Sequence, residues 1–334
     1  MVRPVDHPAL PSPKIGVLLV NLGTPDAPTI PAVRRYLAEF LSDRRVVELP
    51  PILWQPILRG VVLTTRPRRS AHAYSQIWGE RGSPLATITA DQAEALASAF
   101  GPDAIVDYAM RYGARSIGER LDAMKAAGCE RILIAPMYPQ YSGATTASVN
   151  DAAFAALAAM RWQPAIRTLP PWHDDPAFID ALKASIQGQI AKLDFVPDTL
   201  VASFHGMPLS TLMKGDPYHC QCQKTARLLG EALDRDIIVS FQSRLGRAQW
   251  LEPPTDMTLA ALGAEGRKVA VVMPGFIADN LETLEEIALR GRETFIDAGG
   301  KDFAALTCLN ADADGVALLR HLIARELEGW VAPA

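Results

Sequence analysis

Cysteine is scarce in this chain, with four residues, Cys129, Cys220, Cys222 and Cys308, among 334. They are too few and too unevenly spaced for a disulfide framework, and a reducing, cytoplasmic setting is the expectation. Long apolar runs are missing too. No stretch reaches the roughly 18 apolar residues that a membrane-spanning helix needs. The N-terminus has no basic region followed by an apolar segment, so no signal peptide is expected. Positive charge is not in excess: 33 Lys and Arg stand against 37 Asp and Glu, for a net charge of -4. That balance argues against nucleic acid as a partner. Neither a GxGxxG turn after a strand nor a GxxxxGK[ST] loop occurs, which removes the phosphate-cradling signatures of nucleotide sites. The remaining composition, 49% hydrophobic and 21% charged, is that of an ordinary globular protein. At about 150 residues per domain, the length suggests two domains.

The first 13 residues, with Pro4, Pro8, Pro11 and Pro13, read as a loose arm. Apolar runs at residues 15–20, 104–110, 131–136 and 165–169 then read as buried strands. Helical patterns accompany them near 31–41, 87–100, 116–127 and 144–160. The scheme starts again with strand candidates at 199–204, 237–241, 268–273 and 303–307. Strands alternating with helices imply right-handed crossovers and parallel sheets. The expected fold is therefore α/β, with two similar Rossmann-like domains, each a four-stranded parallel β-sheet flanked by helices. The first would cover residues 14–170 and the second 171–310, with a helix in 311–330 packing back on the body. The break between halves falls near Pro170 and Pro171, or within residues 194–197.

Ligands of open parallel sheets collect where strands end. The exit loops here carry Asn21, Arg111, Tyr112, Tyr138, Tyr141, Ser142, His205, Gln242, Ser243 and Arg244. After the run 268–273, a helix starting near Asp279 would place Asp279, Glu282 and Glu286 on one face, with Leu281, Leu284 and Ala288 on the other. Asp279 with Glu282 also makes a good capping pair, so the acids alone have an ordinary explanation. His205, at the end of another strand of the same half, changes that. An imidazole facing carboxylates can hold a divalent metal or move protons. Residues 49–65 are apolar, broken by Pro50, Pro51 and Pro56, and followed by Arg66, Arg68 and Arg69. Such a segment forms either a lip at a bilayer or a flat ligand, or a helix buried between the halves with Trp54, Leu58 and Val62 inward.

The blocks VNLGTPDAPT, YAMRYG, PMYPQYSGATT, SFHGMP, GDPYHCQCQKT, FQSRLGRAQWLEPPTD and PGFIADNLETLEE run in that order between residues 15 and 310. Together they resemble the ferrochelatase family, enzymes that insert ferrous iron into a porphyrin in the last step of haem synthesis. The resemblance implies a bacterial protoporphyrin enzyme with two similar four-stranded parallel-sheet domains. It implies His205 as metal ligand and proton acceptor, with Glu282 as the carboxylate facing it. Asp279 and Glu286 would continue an acidic path, in a region where the family has a widened helical turn. Tyr74, Arg111, Tyr112 and Trp250 match positions lining the porphyrin pocket, although packing alone would also explain each. Residues 49–69 match the lip through which porphyrin enters, with peripheral contact at the inner membrane implied. Asn280 stands where animal members carry a second histidine, and Arg290 where an acid would extend the stripe. Some members bind a two-iron, two-sulfur cluster, but here Cys129, Cys220, Cys222 and Cys308 would all have to converge. No cofactor is expected, and Fe2+ is a substrate. The alternatives are a cobalt or nickel tetrapyrrole chelatase and a non-catalytic porphyrin carrier.

Overall fold

Every apolar run read as a strand is one in the computed structural model, which describes residues 13–244, 246 and 248–331. Most of the arm read over the first 13 residues lies outside the described residues. The strands are β1 (Lys14–Thr24), β2 (Ile105–Gly113), β3 (Cys129–Pro136), β4 (Ala165–Thr168), β5 (Thr199–His205), β6 (Ile237–Gln242), β7 (Val269–Val272) and β8 (Phe303–Ala305). They form two four-stranded sheets, β2-β1-β3-β4 and β6-β5-β7-β8, parallel throughout. The two orders are the same, so β1 and β5 are equivalent. Each is flanked by the strands that follow it in sequence, one on either side, and the chain reverses its direction of travel there. Such switch points open a crevice at the strands' carboxyl ends. Asn21 and His205 stand there in their respective halves.

Central strands in such a sheet are covered on both faces, which explains their unbroken apolar runs. Val17 to Val20 and Leu200 to Ala202 are fully buried. One core joins the halves, combining Val17, Leu133, Trp172, Phe178, Leu200 and Phe204. The C-terminal helix Ala313–Leu327 adds Leu318, Leu322 and Ile323 to that core and packs against the helices Pro84–Phe100 and Pro176–Ile190.

Among the described residues, three segments are π-helix, at Leu58–Val62, Gly143–Ala147 and Glu282–Gly291. The helix expected near Asp279 begins instead at Leu281. Its cap is not the Asp279 and Glu282 pair. Asn280 Oδ1 accepts from the Thr283 amide at 3.0 Å while Thr283 Oγ1 accepts from the Asn280 amide at 3.0 Å. Asp279 is drawn away by the loop after β8. Its carboxylate accepts from Asn310 Nδ2 at 2.7 Å, the Cys308 amide at 3.2 Å and Thr283 Oγ1 at 3.0 Å.

Residues 49–69 are not buried between the halves. Leu58 and Leu63 pack on Val33, Leu37 and Leu41 of the helix Ile30–Ser42, and Trp54 Nε1 donates to the Leu41 carbonyl at 2.7 Å. The opposite face carries Ile52 at 83% and Leu53 at 62% exposure, with Ile57 and Val61 also exposed.

Candidate active site at the crevice between the sheets

His205 ends β5, paired in register with Gln242 at the end of β6. The Gly206 amide donates to the Gln242 carbonyl at 2.6 Å. A Cβ at Gly206 would lie 2.5 Å from that oxygen and 3.3 Å from Trp250 Cε3, so only glycine lets the loop turn this tightly. The loop closes on Trp250 through a backbone bridge from Pro208. His205 packs edge-on against Phe276, with ring centroids 6.5 Å apart, and the Tyr218 hydroxyl bonds its backbone. Burial lowers the imidazole pKa, and the Arg66 charge works in the same direction against the Glu286 carboxylate. At neutral pH the ring is therefore neutral, with a lone pair available for a proton or a metal.

Gln242 also reaches the acidic helix. Its Nε2 donates to the Glu282 carbonyl at 3.0 Å, fastening the first residue of the π-helix to the strand beside His205. The Glu282 carboxyl is pushed up to about 7, by burial first and then by the neighbouring Glu286. Glu286 accepts from the Ser243 amide at 2.8 Å and from the Ser243 hydroxyl. Ser243 adopts a left-handed φ of 67°, a strained conformation that aims both donors at the carboxylate. With Trp250, Ser243 and Arg290, Glu286 lines a cavity of about 360 Å3.

The first half supplies the facing wall. Leu281 packs into its cluster of Tyr36, Tyr74 and Tyr112. The Tyr74 hydroxyl bonds Thr24 and Tyr36, while Tyr36 donates to the Gly23 carbonyl at 3.2 Å. Gly23 has φ +111°, and a Cβ there would come within 1.9 Å of the Tyr112 carbonyl. Burial raises both phenols, keeping them protonated near Glu282. Tyr112 is only 1% exposed. Its hydroxyl donates to Asp43 at 2.8 Å, and Arg111 Nη2 donates to the same carboxylate at 2.6 Å. Burial would raise the Asp43 pKa, but hydrogen bonds from Ser148, the Arg45 amide and Tyr112, with the Arg111 charge, bring it below the usual range. Arg111 and Tyr112 are thus both tied to Asp43.

Arg66 is the residue that sequence reading passed over, as one of three arginines behind the apolar segment. Its Nη1 is buried with no hydrogen-bond partner. Burial lowers its pKa, and the Glu282 carboxylate and the phenols of Tyr36 and Tyr74 act on it. Helical spacing offered a signal, because Arg66, Ser70 and Tyr74 recur every four residues on one face. The four thiols do not gather. Cys129 lies in the core beneath the first sheet and Cys222 in the core joining the halves, Cys220 is exposed, and Cys308 is buried beside Asp279. Among the described residues, no three His, Cys, Asp or Glu side chains converge to hold a metal.

Comparison with known proteins bears on this crevice. Residues 14–327 match the ferrochelatase family model. A ferrochelatase of Rhizobium meliloti is 56% identical over 335 residues, spanning 98% of each chain. One of Agrobacterium fabrum is 52% identical over 336 residues, again spanning 98% of each chain. Among solved structures, SirB from Bacillus subtilis with Fe3+ superposes with a TM-score of 0.58 at 12% identity, covering 95% of this chain and 97% of its own. That likeness concerns the fold alone. The family model, and identities of 52% and 56% over nearly the full length of two of its members, establish that the chain belongs to the ferrochelatase family.

Proposed function

We propose that His205 and Glu282 carry the family's reaction in this chain, the insertion of ferrous iron into protoporphyrin that makes haem. The chain is a metal chelatase of the lyase class, and iron and porphyrin are its substrates. The observation that carries the residue assignment is their common attachment to Gln242 at the switch point of the second sheet. Two pyrrole N–H groups must lose their protons as iron enters the ring. His205, neutral at pH 7, is the acceptor on one side. Glu282, poised at about 7, accepts and releases protons or attracts the dication as its own charge changes. Glu286, anchored by Ser243, continues the acidic path, and Asp279 supports it from outside the helix by tying the loop to Asn310. Trp250 and Tyr74 form pocket walls, braced by Arg111 and Tyr112. The division into residues 14–170, 171–310 and 311–330 then separates the porphyrin wall, the proton and metal side, and the helix joining them.

The unpartnered Arg66 Nη1 suits a carboxylate, and protoporphyrin carries two. Replacing Arg66 by methionine is expected to raise the porphyrin KM roughly 10- to 100-fold with a smaller change in kcat. An unchanged porphyrin KM removes Arg66 from substrate binding. The overall assignment is tested by anaerobic assay with ferrous iron and protoporphyrin. Conversion of the free-base absorption spectrum to that of haem supports it. Binding without conversion identifies a carrier, and conversion only with cobalt or nickel identifies another chelatase. A resident iron-sulfur cluster is outside this reading, because the cysteines sit in separate parts of the fold.

No helix among the described residues is long and apolar enough to cross a membrane. The exposed face of Ile52, Leu53, Ile57 and Val61, beside Arg59, Arg68 and Arg69, suits the surface of an anionic bilayer. On this reading the enzyme is cytoplasmic and touches the inner membrane at the porphyrin lip. Changing Ile52 and Leu53 together to aspartate is expected to lower cosedimentation with anionic vesicles about tenfold or more. Equal cosedimentation of the parent and the variant refutes the contact.

A further inference from the structure

The ten residues of π-helix from Glu282 to Gly291 are long for this conformation, which mostly occurs as single turns. Something must hold the wider register. Arg290 Nε donates to Glu285 Oε1 at 2.8 Å, across five positions of the chain. At 3.6 residues per turn, residues five apart point about 140° away from each other. In a π-helix, where residue i+5 bonds back to residue i, the wider turn brings them round to the same side. The ion pair therefore favours the wide register. The Glu285 side chain is 9% exposed and that of Arg290 45%, so the carboxylate depends on this partner more than the guanidinium does.

The narrow register offers Arg290 a different acid. Glu286 and Arg290 are four apart, with the acid on the N-terminal side, which is the favourable pairing of an α-helix. Forming it would pull Glu286 from the two Ser243 donors that now hold it and cancel its charge beside His205. We propose that Arg290 and Glu285 act as a register clamp, keeping the helix wide so that Glu286 stays on the Ser243 donors within the acidic path. Arg290 is then a positioning residue that acts through Glu286. Burial alone would lower the Arg290 pKa, but the bond and charge of Glu285, with the charges of Glu286 and Glu293, raise it, so the clamp stays charged throughout the working range. The helix is also pressed against its neighbour Thr255–Ala264, since a Cβ on Gly291 would come within 3.1 Å of Leu259 Cδ1. That contact leaves little room for the turn to shift once the clamp closes.

The proposal rests on the acidic path serving iron or protons, and its test keeps the two ideas apart. In the full-length enzyme, Arg290→Ala and Glu285→Gln are each expected to speed hydrogen exchange of the amides of residues 286–291. Each should also raise the KM for ferrous iron about tenfold, on the scale of sub-ångström misplacement, with the porphyrin KM unchanged. Arg290→Lys, which keeps the charge, should recover most of both effects. Unchanged exchange in both Arg290→Ala and Glu285→Gln overturns the clamp, as does a lysine variant no better than alanine. Glu286→Gln is measured alongside. If it leaves the iron KM at the parental value while Arg290→Ala still speeds exchange, the register clamp stands and the acidic path fails.

Discussion

Replacing His205 by alanine is expected to reduce iron insertion by roughly 100- to 10,000-fold, the usual loss when a positioned proton acceptor is removed. Porphyrin binding, followed by absorbance or fluorescence quenching, should persist. The imidazole is held at a strand end by Gly206, Phe276 and the Tyr218 hydroxyl, and those contacts shape the loop without needing the ring's own nitrogens. Burial lowers its pKa, so the parent should not lose activity through His205 protonation until the medium is well on the acid side of neutrality. Insertion near the parental rate in an alanine variant that binds porphyrin would remove His205 from the mechanism.

Glu282→Gln should have two effects of opposite sign. Activity should fall by about 100-fold or more, and the limb of the pH profile near 7, where the parent's carboxyl ionises, should vanish. Stability should rise. An unfolded glutamate titrates near 4.3. Between that value and about 7, the folded chain retains a proton at Glu282 that the unfolded chain has released. The folded state binds more protons in that window, so stability declines as pH rises through it. Above 7 the accumulated penalty is on the order of 3 kcal/mol, and glutamine does not incur it. At pH 8 the variant should melt several degrees above the parent, and at pH 4 the two should coincide. Equal melting temperatures at pH 8 would show that Glu282 is not strained by burial. Such a trade of stability for activity is common where a site keeps charges close together.

The family resemblance drew attention to a widened turn, but neither composition nor periodicity revealed which residues it would bring together. An α-helical wheel puts Asp279, Glu282 and Glu286 on one face. In the fold Asp279 belongs to the loop that meets Asn310, while Glu282 and Glu286 belong to a wider helix. The aromatic pocket residues show the same limit. Tyr112 reads as an exit-loop aromatic, yet its ring is enclosed and its hydroxyl bonds Asp43, a residue 69 positions away. Arg66 reads as solvent-facing fringe, yet its Nη1 is buried without a partner and its charge interacts with that of Glu282.

The amino-acid sequence by itself determined the duplicated alternation of strands and helices, the parallel sheets, and the placement of His205 at a strand end. Those features follow from apolar runs, glycine turns and crossover handedness, which are local or nearly so. Tertiary structure alone decided the helical register, the partner of Arg290, the detour of Asp279 and the burial of Arg66. Each is a choice between local arrangements of similar energy, and contacts from distant segments such as Ser243, Asn310 and Leu259 tip the balance.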